Sequence, residues 1–288
     1  MLSETELAII RQAYARQITF LGGAANPVLE AAYAAVPREA FVGPGPWPIL
    51  RWPSGYRTTP EADPVYLYAD VLVGLVPERA INNGQPSSHA TWLDHVAIRP
   101  GDHVVHVGAG VGYYTAIMAE MTGPGGRVTA IEFDPELAAR AAANLVPWPN
   151  TRVVCGDGSS VAFDPANVIY VNAGAARPAD TWLDGLKEGG RLLLPLTTDR
   201  NFVEALLPQG VVFLIERHGD KLRASFVSHV AVFPCEGMRD PASERALAEA
   251  LKAGGANAVN RLYRSDPPPA QAIWLQAPGW GLVAAAGS

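Results

Sequence analysis

The stretch "HVVHVGAGVGYYTA" (residues 103–116) passes from apolar residues through a glycine-rich segment and back to apolar residues. The first apolar run predicts a buried strand, and the second predicts a helix. Gly108, Gly110 and Gly112 lie between them, where the lack of side chains lets a ligand approach the backbone amides at the helix N-terminus. The stretch therefore predicts a ligand-binding turn.

The same alternation of strand and helix continues after this turn. The stretch "GRVTAIEF" (126–133) predicts a second strand, and "PELAARAAANL" (135–145) predicts a second helix. Three further strands are predicted, at "TRVVCGDG" (151–158), "NVIYVNAGA" (167–175) and "GGRLLLPL" (189–196). Alternating strands and helices of these lengths are typical of an α/β fold with a parallel sheet and crossover helices.

The N-terminal region predicts two helices. Ser3 and Glu6 form a capping-box pattern ahead of apolar residues at helical spacing. A second helix follows Asn26 and ends near Val36, because Pro37 comes next. We interpret residues 43–64, which are rich in Gly, Pro and Trp, as an irregular surface excursion.

The C-terminal region predicts a helix and a hairpin. The helix runs from Pro241 to about Ala253, with Asp240 as its N-cap, and the hairpin is "AIWLQAPGWGLVA" (272–284). We divide the chain into N-terminal helices and a Trp/Pro-rich loop, a cofactor-binding core, and a C-terminal appendage. Their predicted ranges are 1–79, 80–215 and 216–288.

Composition narrows the possible functions. The 288 residues are 49% hydrophobic and 17% charged, with a net charge of −6, which is typical of one substantial core. The sequence contains no cluster of Lys and Arg residues of the kind that forms a nucleic-acid-binding surface. The N-terminus lacks the order of a signal peptide and no apolar run reaches about 18 residues, so we expect a cytoplasmic protein that does not bind membranes. Cys155 and Cys235 lack metal-ligand spacing, so we expect buried thiols and no metal site.

A carboxylate in the second strand indicates what the glycine turn binds. Glu132 follows Gly108 by 24 residues, a distance at which a carboxylate can accept hydrogen bonds from two ribose hydroxyls. A tight turn with a solvated Glu is the alternative without a ligand. In a dinucleotide fingerprint the third glycine would fall on Tyr113, whose side chain would crowd the helix against the strand. A nucleoside without a pyrophosphate therefore fits better.

Residues 99–145, from "RPGDHVV" to "AAANL", resemble the cofactor half of a Rossmann-like S-adenosylmethionine-dependent methyltransferase. The flanking segments resemble the protein-L-isoaspartate O-methyltransferase family, over about residues 15–200. The elements that carry this second resemblance are "VPREAFV" (36–42), "LYADVLVGLVPERAINNGQPSSHA" (67–90), "GDG" (156–158) and "LKEGGRLLLPL" (186–196).

The resemblance implies an α/β fold with a Rossmann-like methyltransferase sheet and helices on both faces, an N-terminal helical extension and a C-terminal α+β appendage. It also implies S-adenosyl-L-methionine as the cofactor and assigns roles by position. Asp157 would bind the adenine amino group, Glu132 the ribose, and Asn172 would lie near the transferred methyl. The residues implied to bind the cofactor are Gln85, Gly108, Ala109, Gly110, Gly112, Tyr113, Glu132, Phe133, Asp157, Gly158 and Asn172.

The chain departs from the family pattern at two positions. Where the family has the serine of its Ile-Ser-x-Pro motif this chain has Gly84, so a hydroxyl donor is missing. Asn82 or Asn83 could supply an amide donor instead, the loop could hold a different substrate, or Asn83-Gly84 could be only a turn. His106 stands where the family usually has an acidic residue, as a core histidine or as a neutral neighbour of the cofactor.

The catalytic candidates are Asn83, Gly84 and His89. His89 matches a histidine of some relatives, and it either contacts substrate or has a structural role. A carboxylate acceptor is already ionised at neutral pH and needs no general base, which suits the lack of a paired acid and base near the motifs.

The leading hypothesis is O-methylation of a carboxylate, on an isoaspartyl or aspartyl residue of a protein or peptide. The alternatives are a small-molecule or natural-product acceptor, an RNA adenine methyltransferase, and a cofactor-binding protein that has lost catalysis. The expected partner is therefore a protein, peptide or small-molecule carboxylate.

Overall fold

The fold is taken from a computed structural model, which describes residues 2–51, 53–79, 81–198, 210–232, 234–235, 237–265 and 272–285. In chain order the helices are α1 (Glu4–Leu21), α2 (Pro27–Ala35), α3 (Pro86–Val96), α4 (Tyr113–Thr122), α5 (Pro135–Asn144), α6 (Asp180–Asp184) and α7 (Pro241–Ala253). None of the described helices combines the length and the apolar character that a membrane crossing requires.

The strands are given in the same order. They are β1 (Pro48–Arg51), β2 (Gly55–Thr58), β3 (Gly74–Val76), β4 (Ile81–Asn82), β5 (His103–Val107), β6 (Arg127–Glu132), β7 (Thr151–Cys155), β8 (Ala166–Val171), β9 (Leu186–Thr197), β10 (Gly210–His218), β11 (Lys221–Val230), β12 (Val259–Arg264), β13 (Ala272–Ala277) and β14 (Trp280–Ala284). Every strand and helix predicted from the sequence is present within a few residues of its expected bounds.

The described chain forms two compact units. Unit 1 contains residues 1–102 and 109–155, and unit 2 contains residues 103–108 and 156–288. The predicted division at residues 79 and 215 remains a prediction.

Unit 1 begins with the predicted helices. The Ser3 hydroxyl accepts the Glu6 amide at 3.3 Å and the Glu6 carboxylate accepts the Ser3 amide at 2.7 Å, which confirms the capping box. Asn26 Oδ1 caps α2 by accepting the Val28 amide at 3.0 Å. The apolar faces of the two helices are buried because residues at helical spacing, such as Tyr14 and Ile18, point to the same side.

The interpretation of residues 43–64 as irregular was wrong in one respect. Residues 48–58 form the antiparallel hairpin β1–β2, in which Pro48 pairs with Thr58 and Arg51 pairs with Gly55. The Leu50 amide donates to the Leu72 carbonyl at 2.9 Å, so the hairpin is tied to the chain that leads into β3. Two four-residue strands leave too little periodicity to be recognised from sequence.

A small apolar cluster lies beneath this hairpin. It contains the buried residues Val42, Trp47, Leu67 and Val73. Trp52, the other tryptophan of residues 43–64, lies outside the described residues. The Trp47 indole donates to the Gly43 carbonyl at 2.8 Å, which satisfies its polar atom within the cluster.

The remainder of unit 1 carries the strand that ends in Glu132. Strands β6 and β7 are parallel neighbours, with Val128 opposite Thr151 and Glu132 opposite Cys155. The thiol of Cys155 is exposed, so the prediction of a buried thiol was wrong there, whereas Cys235 is buried as expected. Cys155 is the last residue of β7, where the strand reaches the surface.

Unit 2 contains a sheet of eight described strands in the order β13-β14-β12-β11-β10-β9-β8-β5. The pairs β5–β8 and β8–β9 are parallel, and every later pair is antiparallel. The predicted helix α7 and hairpin β13–β14 are confirmed. Strands β10 and β11 were not predicted from the sequence; they extend the sheet directly from β9, and a turn at Gly219 joins them.

Candidate functional site

The predicted glycine turn in unit 1 is joined to the end of β6 by backbone donors. The Gly110 amide donates to Glu132 Oε2 at 2.6 Å, and the Ala109 amide donates to the Ile131 carbonyl at 3.2 Å. Gly110 and Gly112 have φ values of +57° and +90°, a region that glycine enters without steric cost. A Cβ on Gly112 would also lie 2.9 Å from the Leu145 side chain. Both the backbone conformation and the lack of space therefore favour glycine at this position.

Glu132 is a buried carboxylate with unused acceptor capacity. Only 8% of the residue is exposed, and its Oε1 accepts the Asp134 amide at 3.0 Å. Burial raises the pKa of Glu132 above its ordinary value, although the amides of Asp134 and Gly110 oppose this shift. The Phe133 amide donates to the carboxylate as well, and the lone pair that these three amides leave can accept a hydrogen bond from a ligand hydroxyl.

The neighbouring residues Phe133 and Tyr113 differ in accessibility. Phe133 is 54% exposed, which leaves its ring open for a flat ligand. The Tyr113 ring is buried, edge-on to Phe41 at 5.6 Å between centroids and 5.8 Å from the Arg38 guanidinium carbon. Tyr113 can therefore serve a ligand only through its backbone amide in the first turn of α4.

Gly84 adopts a left-handed backbone conformation in the loop before α3. Its φ is +78°, and its amide donates to Asn82 Oδ1 at 2.9 Å. A Cβ at Gly84 would collide with His89 Nε2, so the family's serine does not fit this backbone while His89 keeps its position. The Asn82 side chain thus bridges Asn83 to reach Gly84, and His89 lies against Gly84.

Asn83 is held by two donors. Its Oδ1 accepts the Val73 amide at 3.0 Å and the Arg38 guanidinium at 3.3 Å. Because both partners are donors, the amide oxygen must point toward them, and the orientation of the side chain is fixed. Asn83 is buried, and its Nδ2 has no hydrogen-bond partner among the described residues.

His89 is also buried and lies in an aromatic stack. Its ring is parallel to Tyr114, with 3.5 Å between centroids and an angle of 11°, and it meets Trp92 edge-on at 5.1 Å. The Tyr114 hydroxyl donates to the Gly84 carbonyl at 3.4 Å. These contacts support the structural role that we considered for His89, while a contact with substrate stays a prediction.

Three residues that support this loop were missed as functional residues in the sequence. Asp70 accepts the Gln85 side-chain amide and the Ser87 amide, each at 2.8 Å, so it fixes the start of α3. The hydroxyl of Tyr56, on the β1–β2 hairpin, is hydrogen-bonded to the Asn82 side chain.

The third is Arg38, which is fully buried. Besides Asn83, it donates to the carbonyls of Leu67 and Val71, each at 2.6 Å. The motifs at 36–42 and 67–90 contain Arg38 and Asp70, but sequence spacing does not reveal which backbone groups they bind.

In unit 2, Gly108 and Asn172 are in contact. Asn172 Nδ2 donates to the Gly108 carbonyl at 3.3 Å, and the Asn172 amide donates to the Val107 carbonyl at 2.8 Å. Gly108 has a φ of +76°, and a Cβ there would lie 3.1 Å from the Asn172 carbonyl oxygen. This contact fixes the loop after β8 against the end of β5.

Asp157 and Gly158 come shortly after β7 in the chain and belong to unit 2, like Gly108 and Asn172. Asp157 Oδ1 accepts the Ser159 amide at 2.8 Å, while the Gly158 carbonyl accepts the Trp182 indole at 2.7 Å. A Cβ on Gly158 would collide with the Val107 side chain, so this position has room only for glycine.

His106 is a core residue of unit 2. It is fully buried and edge-on to Tyr170, with 5.5 Å between the ring centroids. Burial lowers the pKa of His106 to about 3, because charging it would require desolvating a cation. His106 is therefore the neutral core histidine that the sequence allowed.

The structure thus brings the predicted site residues together in three groups. One group joins Gly110 to Glu132, the second joins Asn83, Gly84 and His89, and the third joins Gly108 to Asn172. Asp157 and Gly158 are adjacent in the chain and are fixed by different partners.

Comparisons with known proteins agree on one family. A sequence model of the protein-L-isoaspartate(D-aspartate) O-methyltransferase family matches residues 59–220. The protein-L-isoaspartate O-methyltransferase of Pyrobaculum neutrophilum is 30% identical over 209 residues, 70% of this chain and 87% of that protein. The enzyme of the same name from Thermotoga maritima is 32% identical over 137 residues, a match that spans 46% of this chain and only 43% of that protein.

Solved structures show the same fold. A structure of a protein-L-isoaspartate O-methyltransferase covers 96% of this chain and 88% of its own, with a TM-score of 0.65 and 20% identity. A Plasmodium falciparum structure of the same kind, in complex with S-adenosyl-L-homocysteine, covers 78% of this chain and 98% of its own, with a TM-score of 0.61 and 17% identity. The predicted α/β class with a Rossmann-like methyltransferase sheet is confirmed.

Proposed function

Because this chain belongs to the protein-L-isoaspartate(D-aspartate) O-methyltransferase family, and is therefore an S-adenosylmethionine-dependent methyltransferase, we propose that it methylates a carboxylate of an isoaspartyl or aspartyl residue in a protein or peptide. The buried Glu132 carboxylate, anchored by the Gly110 amide at 2.6 Å, is the observation that carries the proposal. It supplies a fixed acceptor at the end of β6, beside a glycine turn.

The residues of unit 1 fit the nucleoside part of this cofactor. Glu132 keeps acceptor capacity for a ribose hydroxyl, and the exposed ring of Phe133 is available to cover the adenine. Among the described residues, Leu75 at 3.8 Å is the only one within 4 Å of a Cβ built on Gly110, which leaves room for a ligand beside that backbone. In our proposal Ala109, Gly112 and the Tyr113 amide complete this side of the cofactor site.

The residues of unit 2 take the other predicted roles. We assign Asp157 and Gly158 to the adenine ring, because a carboxylate is a natural acceptor for its exocyclic amine. Gly108 and Asn172 are assigned to the methionine part. The hydrogen bond between them at 3.3 Å gives the Asn172 side chain a defined position at the carboxyl end of β8.

When bound, the cofactor would supply the methyl group of a sulfonium: the acceptor oxygen would bond to the methyl carbon as the carbon–sulfur bond breaks, and the neutral thioether would leave. The protein must then hold the acceptor carboxylate about 3 to 3.5 Å from the methyl carbon along the bond axis. A carboxylate is ionised at neutral pH, so the reaction requires no protein base. This agrees with the burial of His89 and His106, neither of which is placed as a solvent-accessible base.

The loop containing Asn83 and Gly84 is assigned to the acceptor. Gln85 completes the loop, and its side chain is oriented by Asp70 at 2.8 Å. The family's serine hydroxyl has no equivalent at Gly84, so the remaining polar groups of the loop must orient the substrate. His89 defines the shape of this loop through its contact with Gly84.

One observation favours a second candidate, a small-molecule acceptor. The β1–β2 hairpin lies outside the family match, and its Tyr56 is hydrogen-bonded to Asn82 beside the altered Gly84. A loop that lacks the family's serine hydroxyl and contacts Tyr56 is suited to a different carboxylate. We further propose that the protein has no nucleic-acid partner, because its net charge of −6 is unfavourable for binding phosphates.

The test is transfer of a labelled methyl group from S-adenosylmethionine to an isoaspartyl peptide and to its aspartyl twin. Labelling of either peptide supports the proposal, and labelling of the isoaspartyl peptide alone identifies the preferred acceptor. If neither peptide is labelled although the protein binds the cofactor, the protein and peptide acceptors are excluded. Small carboxylic acids then become the acceptors to test.

A further inference from the structure

We propose that a C-terminal segment, the C-terminal clamp (Pro234, Cys235 and Gly237–Arg239), holds the Asp157 carboxylate in position for the cofactor. Gly237 is the positioning residue. The inference rests on the proposed function, which assigns Asp157 to the adenine ring. The clamp lies beyond the family match at 59–220, so it would be a contribution of this chain's own C-terminal part.

Backbone hydrogen bonds attach the clamp to the loop after β8. The Cys235 amide donates to the Gly174 carbonyl at 2.8 Å, and the Ala176 amide donates to the Met238 carbonyl at 2.9 Å. Cys235 and Met238 are both buried. The clamp is therefore fixed at both of its ends to one short loop of unit 2.

Arg239 strengthens this attachment through its side chain. Its guanidinium donates to the Gly174 carbonyl at 3.2 Å and to the Thr197 hydroxyl at 3.3 Å, and it forms an ion pair with Glu244. Glu244 lies in the first turn of α7. The position of α7 is thereby linked to the same loop.

Between these anchors, Gly237 lies directly against the Asp157 carboxylate. A Cβ at residue 237 would be 2.5 Å from Asp157 Oδ2 and 3.2 Å from Oδ1, so any side chain would force the carboxylate to move. Gly237 also has a φ of +76°. Asp157 Oδ1 is held on its other side by the Ser159 amide at 2.8 Å. The carboxylate is thus confined between the clamp and its own turn.

This confinement matters because a hydrogen bond to a ligand amine depends on where the acceptor oxygen lies. Displacing Asp157 by even 1 Å lengthens such a bond beyond its effective range. We therefore expect the substitution Gly237→Ala to weaken binding of S-adenosylhomocysteine about 10- to 100-fold, the loss expected when a hydrogen bond to a charged group is broken.

The experiment is isothermal titration calorimetry of the full-length protein with S-adenosylhomocysteine. A matched control is Gly254→Ala, because Gly254 has the same φ of +76° but no atom of the described residues lies within 4 Å of a Cβ built there. The control carries the backbone strain of a substituted glycine without any contact with Asp157. We expect it to bind like the wild type.

A double-substitution cycle separates positioning from a general effect on stability. Asp157→Ala removes the carboxylate, so adding Gly237→Ala to it should weaken binding no further. A merely structural role for Gly237 would instead reduce affinity by the same factor in both backgrounds, and that result would overturn the inference. Equal affinities of the wild type and Gly237→Ala would overturn it as well.

Hydrogen exchange of the wild type keeps the inference testable if Gly237→Ala does not fold. The Cys235 and Ala176 amides join the clamp to its loop, so they should exchange more slowly once S-adenosylhomocysteine binds. Unchanged exchange at both amides overturns the inference. Failure of the wild type to bind the nucleoside at all would refute the proposed function, and the inference with it.

Discussion

At the scale of single residues, the position of Glu132 can be predicted from the sequence, but its hydrogen bond with Gly110 cannot. Its position after the glycine turn is predictable, because both lie at the ends of strongly apolar strands. Its hydrogen bond with the Gly110 amide at 2.6 Å depends on how the strands are placed in three dimensions. This bond gives the carboxylate a fixed direction.

We expect Glu132→Gln to weaken binding of S-adenosylhomocysteine about 10- to 100-fold, because a neutral amide replaces a charged acceptor. Titration calorimetry measures this directly. Glu136→Gln is the control, since Glu136 is exposed in the first turn of α5 and should leave the affinity unchanged. Equal losses in both variants would contradict the assignment of the ribose to Glu132.

His106 gives a prediction about pH. Its pKa is lowered from 6.5 to about 3 by burial, so between these values only the unfolded chain takes up the proton. The free energy of unfolding should therefore fall as the pH drops below 6.5. Above that pH, His106 should add nothing to the pH dependence of the free energy of unfolding. The slope for one such group is about 1.4 kcal/mol per pH unit.

Denaturant unfolding of the wild type and His106→Gln between pH 7 and 4.5 measures this term. The variant should lose less stability on acidification, because glutamine does not titrate, whatever its effect at neutral pH. Parallel curves for the two proteins would show that His106 is not a buried neutral group.

Other residue-level features lie beyond sequence reasoning. The sequence shows that Gly84 replaces the family's serine and that His89 is a candidate for contact with substrate. Neither pattern indicates that the two residues touch. Tyr113 was included among the cofactor residues because it lies in the glycine turn, whereas its ring is buried next to Phe41. The direction in which a side chain points depends on tertiary packing, and a single sequence motif carries no information about that packing.

At the scale of secondary-structure elements, local signals were sufficient wherever a helix has a side-chain cap. The ends of α1, α2 and α7 were predicted from Ser3, Asn26 and Asp240, which all cap as expected. The hairpin β1–β2 was missed, because its stability comes from contacts such as that between Leu50 and Leu72. Short strands of this kind carry little information within their own sequence.

The cap of α7 is open to a simple test. Asp240 Oδ2 accepts the Ser243 amide at 2.7 Å, so Asp240→Ala should lower the free energy of unfolding by about 1 kcal/mol. The hydrogen bonds with Ser243 lower the pKa of Asp240. The cap therefore stabilises the fold above about pH 4, the ordinary range of Asp, and its contribution is lost as the pH falls through the lowered value.

Chemical denaturation near neutral pH checks the size of this effect. Glu249→Ala, at an exposed position of the same helix, should change stability by less than about 0.5 kcal/mol. If the two substitutions have equal effects, the cap makes no specific contribution.

At the scale of the whole molecule, the parallel strands were predictable and the antiparallel ones after β9 were only partly so. Apolar runs separated by helices indicate crossover connections for β5 to β9. The role of β10 and β11 as a continuation of that sheet depends on pairing between Gly210 and Thr197 and along the rest of both strands. Nothing in the sequence of residues 210–230 specifies that partner.

This arrangement predicts that the family-matched part does not suffice for folding. A chain ending at residue 220 would leave β10 without β11, exposing the backbone edge of a strand whose residues Val211–Ile215 are buried in the full protein. We expect residues 1–220 to aggregate on expression, whereas the full chain remains in solution. Centrifugation and size-exclusion chromatography of both proteins test this, and a monomeric truncated protein with a cooperative unfolding transition would contradict it.

The parallel pairing of β5 with β8 also has a consequence for synthesis on the ribosome. Strand β5 is complete at residue 107, but its partner begins at residue 166, so roughly 60 residues must still be translated. At about 5–20 residues per second this takes several seconds. During that interval the edge of β5 that pairs with β8 has no partner, and this edge of five apolar or histidine residues is one that chaperones acting at the ribosome exit could bind and protect.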